Sequence, residues 1–153
     1  MATETSAIKR IVVGVDGSDQ GAAGLNWAVR MAAGMGSQIV AVYAIDAPAF
    51  FPVASTAQFN ERWRAETKDE FENAWCQPLK VSGLQYRTVM EDGRPASVIA
   101  AVADREDADI IVVGRRGRGG VAELLLGSVS HELALHSDRP ILLISLKKSG
   151  ASE

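Results

Sequence analysis

Apolar positions along the chain follow two alternating patterns. Short β-branched runs, such as the identical IVVG at positions 11–14 and 111–114, are separated by longer stretches with apolar residues every three or four positions. An unbroken run suits a strand buried on both faces of a parallel sheet, and three-to-four spacing suits an amphipathic helix. Five strands are predicted on this basis, over 10–15, 37–45, 84–90, 107–114 and 139–145. The first helix is predicted over 19–35, capped by Ser18 or Asp19, with Leu25, Val29, Ala32 and Ala33 on one face. The second spans 56–76, where Phe59, Trp63, Phe71 and Trp75 form a core stripe, and Pro78 ends or kinks it. A third opens at Pro95 and a last one covers 128–135. Such regular alternation predicts an α/β fold, a doubly wound parallel sheet with helices on both faces.

The 153 residues suit one domain, expected over 9–146, with flexible tails at 1–8 and 147–153. Hydrophobic residues make up 47% and charged residues 23%, enough apolar surface for a core without staples. The formal charge of −3 argues against a general nucleic-acid binder. One cysteine, Cys76, excludes an internal disulfide and a multi-cysteine zinc site, and reads as a partly buried helix thiol. The opening MATETSAIKR lacks the basic start and apolar middle of a signal peptide, and no window is long and apolar enough to cross a membrane. A cytoplasmic location is expected. The segment with two prolines around Phe50 and Phe51 reads as a loop, either partner-facing or locally packed.

Against that acidic background one stretch stands out. GRRGRGG, at 114–120, puts four glycines and three arginines directly after the fourth predicted strand. Backbone without Cβ atoms can turn several N–H groups toward one point and make a concave anion site. Gly127 and Ser128 stand at the start of the last helix, whose first-turn amides and dipole favour an anion. Ser128 and Ser130 add hydroxyls, and Arg115, Arg116 and Arg118 add charge, so phosphate is the natural guest. The competing reading is a surface turn with solvated arginines; the later Gly-Ser favours the phosphate site. No G-x-x-x-x-G-K-[ST] loop occurs, and GRGGVA fits the dinucleotide pattern G-x-G-x-x-A without the strand–turn–helix setting it needs. Asp16, just beyond the first strand, is a candidate for ribose hydroxyls or for Mg²⁺, or equally a turn or cap aspartate.

The spacing Gly114-x-x-Gly117, nine residues, then Gly127-Ser128, together with IVVGVDGS, DGRPASVIAAVA, ADIIVVGRRGRGG and RPILLIS, resembles the universal stress protein family in its ATP-binding branch. The resemblance implies strand order 3-2-1-4-5, with strands one and four side by side where the order reverses. It further implies that Gly14, Val15 and Asp16 border the nucleoside and that Ala44 offers its backbone to adenine. Val113, Gly114, Arg116 and Gly117 would hold ribose and phosphates, and Gly127, Ser128, Val129 and Ser130 the remaining phosphates. Mg²⁺ would accompany the ATP near Asp16. Family members often carry serine or threonine where this chain has Gly21. Strand five, from Pro140 to Ser145, would pair with its twin in a homodimer, which also covers an apolar edge.

No base for hydrolysis is evident. His131 reads as facing solvent or strand five, His136 as a helix-end residue, and Glu123 as helix surface. The chain reads as a nucleotide-binding regulator, with weak ATPase activity left open. The alternatives are a cyclic AMP or AMP sensor, a nucleotide-independent dimeric module, a flavin binder, or an adenylating enzyme. The last would show S-G-G-x-D-S where this chain has VDGSD.

Overall fold

The computed structural model describes residues 7–46, 57–116 and 126–146, with the side chains of 57–59 outside the description. The expectations at Phe50, Phe51, Gly117, Glu123, residues 1–6 and 147–153, and the side chain of Phe59 therefore lie outside the described residues. Five strands form one parallel sheet: β1 (Arg10–Gly14), β2 (Gln38–Ile45), β3 (Tyr86–Asp92), β4 (Ile110–Gly114) and β5 (Ile141–Ile144), in the order β3-β2-β1-β4-β5.

The two IVVG copies are neighbours, but out of step. Val13 pairs with Val112 and Val12 with Ile111, so letters that match in sequence point to opposite faces. One face packs Ile11, Val13, Val15 and Val112 under helix α1 (Asp19–Met35). The other packs Val12, Ile111 and Val113 under α4 (Pro95–Arg105) and α5 (Ser128–His136). Helices on both faces make the sheet doubly wound. Each fully buried Ile or Val contributes about 1.5–3 kcal/mol.

Ser18 caps α1, its hydroxyl accepting from the Gly21 amide at 3.0 Å. The buried face of α1 runs through Gly21, Gly24, Leu25, Ala28 and Ala32. Ala33, expected on that face, is exposed. Ala28 takes the inward place, because the stripe follows i, i+3, i+4 from Leu25 rather than adjacent positions.

The single helix expected over 56–76 is instead three pieces. Helix α2 (Ala57–Asp69) passes into a π-helical turn (Glu70–Trp75), followed by the short α3 (Gln77–Lys80) with Pro78 in its first turn. Trp63, Thr67, Phe71 and Trp75 recur every fourth residue. In a regular α-helix each such step drifts about 40° around the axis. The wide turn, closed by Cys76 N–H donating to the Phe71 carbonyl at 3.0 Å, steps back and keeps Phe71 and Trp75 against Tyr43. Cys76 is fully buried in this joint. Its burial, with Glu72 adding repulsion, pushes the thiol up to about 12.

Strand boundaries also differ from expectation, and β5 is shorter than the expected 139–145, pairing with β4 only from Ile141 to Ile144. β3 runs two residues later than 84–90, because its end is set by pairing with β2 up to Ile45 and Asp92. β4 starts at Ile110 rather than 107. Asp107 turns the chain with φ of 50°, and the Asp109 carboxylate accepts the Lys9 and Arg10 amides at 2.7 and 2.9 Å.

Candidate functional site

With β1 and β4 adjacent and β2 on the far side of β1, the sheet order reverses between β1 and β4, the point at whose carboxyl ends doubly wound sheets form their ligand crevice. The backbone at Gly14 is tightly enclosed; a Cβ there would come within 2.8 Å of Ile99 Cδ1 and 3.0 Å of Val113 Cγ1. Val15 and Val113 turn their side chains into the core, each 4% exposed, so only their backbone can face a ligand. Ala44 lies at the same edge on β2, in register with Glu91. Beside it, Arg64 of α2 grips both carboxylate oxygens of Asp92 at 2.5 and 3.0 Å, and this hydrogen-bonded pairing holds the Asp92 carboxyl below its ordinary value.

Asp16 sits between β1 and α1. Its Oδ1 accepts from the Ser18 amide at 3.0 Å and from the Ser18 hydroxyl at 2.5 Å. A Cβ at position 21 would stand 2.5 Å from that oxygen, so Gly21 leaves the room the carboxylate uses. The turn role and a ligand-facing role are thus both compatible with its half-buried position. Among the described residues no group of three His, Cys, Asp or Glu side chains is arranged to hold a metal ion.

On the other wall, the end of β4 and the start of α5 are tied together. Gly127 N–H donates to the Arg115 carbonyl at 2.9 Å. The buried Ser130 hydroxyl donates to the carbonyls of Gly114 and Arg115, at 2.9 and 3.0 Å. Arg115 N–H reaches the Ile144 carbonyl of β5 at 2.7 Å. Ser130, expected to offer its hydroxyl to phosphate, directs that proton into the backbone; what it can still offer a ligand is its amide.

The N-cap of α5 is Gly127, which has no side chain to accept from the first turn, in contrast to Ser18 on α1. The first helical bond runs from His131 N–H to Gly127, leaving the amides of 128–130 ahead of the ladder. Ser128 is exposed and Val129 half-buried. Arg115 Nε is buried without a hydrogen-bond partner among the described residues. Uncapped amides at a helix start whose N-cap is bonded to the backbone of an arginine-bearing turn have the chemistry of an anion site. His131 and His136 are exposed on α5.

The chain matches the model of the universal stress protein family over residues 7–145. It belongs to that family. Among curated universal stress proteins, YxiE of Bacillus subtilis is 31% identical over 146 residues, covering 88% of this chain and 97% of its own. The solved structure of hypothetical protein MJ0577 superposes with a TM-score of 0.82 at 24% identity, covering 94% of this chain and 99% of that one. A universal stress protein solved in complex with cAMP superposes with a TM-score of 0.67 at 26% identity, covering 92% and 98%. The universal stress protein described here thus has the family's five-stranded sheet.

Sequence reasoning brought Gly14, Asp16, Val113, Gly114, Arg116, Gly127 and Ser128 to one edge, and the structure places all of them there. It missed Gln20, whose side-chain oxygen accepts the Arg116 amide at 3.1 Å. A polar residue in a first helical turn carries no signal of such a contact.

Proposed function

We propose that this universal stress protein binds an adenine nucleotide, ATP foremost, in the crevice between β1 and β4, and acts as a nucleotide-dependent regulator. The observation that carries the reading is the bond from Gly127 to Arg115, which sets the uncapped start of α5 against the arginines that follow β4. Gly14, Val15 and Asp16 border the nucleoside, and Ala44 offers backbone to the base. Val113, Gly114, Arg116 and Gly117 hold ribose and inner phosphates. Gly127, Ser128, Val129 and Ser130 hold the outer phosphates through their amides. Among the described residues no group of three His, Cys, Asp or Glu side chains could hold a metal, so a Mg²⁺ ion near Asp16 would be held mainly by phosphate oxygens, as such ions commonly are.

A relative in complex with cAMP supports a cyclic nucleotide as the second reading. Arg115 and Arg116 beside the amides of α5 favour a polyphosphate over a single phosphodiester. The edge position of β5 supports a homodimer through that strand, from Pro140 to Ser145. Among the described residues no helix is long and apolar enough to cross a membrane.

Heat denaturation of the purified protein, with chromatography and mass analysis of the released small molecule, tests the proposal. ATP or ADP is expected. Release of cyclic AMP selects the second reading, and a protein that neither releases nor takes up any adenine nucleotide defeats both.

A further inference from the structure

The chain at residues 114–116 is held from two sides. From α5 and β5 come the bonds of Gly127, Ser130 and Ile144. From α1, packed against the end of β4, comes one side chain: Gln20 Oε1 accepts the Arg116 N–H at 3.1 Å. The donor is an amide, so the carbonyl end of Gln20 faces it. Two close approaches brace the same junction. A Cβ at Gly114 would stand 2.7 Å from the carbonyl carbon and oxygen of Gln20, and one at Gly24 would stand 3.3 Å from the Gly114 nitrogen. The first turns of α1 therefore lie directly on the backbone where β4 ends.

We infer that Gln20 is a positioning residue that latches the backbone at the exit of β4, at Arg116, to the start of α1 beside the nucleoside wall. The inference rests on the proposed nucleotide reading of the crevice and adds to it a residue outside the glycine motif. Arg116 N–H is already spent on Gln20, so this amide is not a phosphate ligand. Arg116 serves through its guanidinium, and phosphate-binding amides are supplied by the start of α5. Losing the latch loosens Arg116 while leaving the base-side positions Asp16 and Ala44 in place.

Gln20→Met keeps the length and removes the acceptor; Gln20→Glu keeps an acceptor. In ligand-free protein, the Arg116 amide should exchange with solvent at least about tenfold faster in Q20M than in wild type, and stay protected in Q20E. ATP affinity of Q20M should fall about five- to tenfold, the worth of one hydrogen bond, while adenosine affinity changes less than about twofold. Unchanged Arg116 exchange in Q20M overturns the latch, as does an equal fall for ATP and adenosine, or tighter ATP binding, which would make Gln20 a plug. A wild-type protein that binds neither ligand defeats the proposed function instead, and the exchange measurement then judges the latch alone.

Discussion

Gly127 donates its amide proton to the carbonyl of Arg115 at 2.9 Å, joining the exit of one strand to the start of the next described helix. One is the glycine–arginine exit of β4; the other is the start of α5. Neither is an anion site alone. The bond between them sets the arginine-bearing turn against the first-turn amides and fixes their spacing before any ligand arrives.

The clamp that holds this junction is Ser130. Its buried hydroxyl serves two carbonyls, those of Gly114 and Arg115, at 2.9 and 3.0 Å. Ser130→Ala leaves the Arg115 carbonyl its bond from Gly127 but removes the described partner of Gly114's. Stability should drop by about 1–2 kcal/mol in urea unfolding, with the m-value unchanged. A variant as stable as wild type would show that the hydroxyl holds nothing.

Cys76 gives a pH test remote from the crevice. Its folded-state value, pushed up chiefly by burial to about 12, exceeds the ordinary value of 9.0. Between those limits the folded protein keeps a proton that the unfolded chain releases. The thiol's contribution is therefore complete below pH 9 and fades as pH rises toward 12. Unfolding free energy measured from pH 8 to 11 should fall more steeply in wild type than in Cys76→Ala, and the native thiol should resist disulfide reagents at pH 8. Rapid labelling of native protein would place the sulfur at the surface and end this account of the joint.

Much of the fold was legible because its strands are compositionally extreme. The IVVG runs allow little else, and Gly36, φ 70°, ends α1 after a regular apolar stripe. Gly127-Ser128 announced a helix start because an uncapped glycine there is a local feature. What stayed hidden was relational. The π-helical turn at Glu70–Trp75 answers the position of Tyr43 on another element, and the end of β3 answers β2. Gln20 meets Arg116 only once α1 lies on β4, and Ser130's hydroxyl, chemically apt for phosphate, is claimed by carbonyls that only the fold brings near.

The most direct measurement is an amide-resolved NMR titration with ATP and, separately, with adenosine. The account predicts that ATP moves Ser128, Val129 and Ser130 together with Gly114 and Arg115, all saturating with one constant. Adenosine should move the amides at Asp16 and Ala44 and leave Ser128 to Ser130 still. ATP binding that bypasses the start of α5, or no saturable change in either wall, would contradict it.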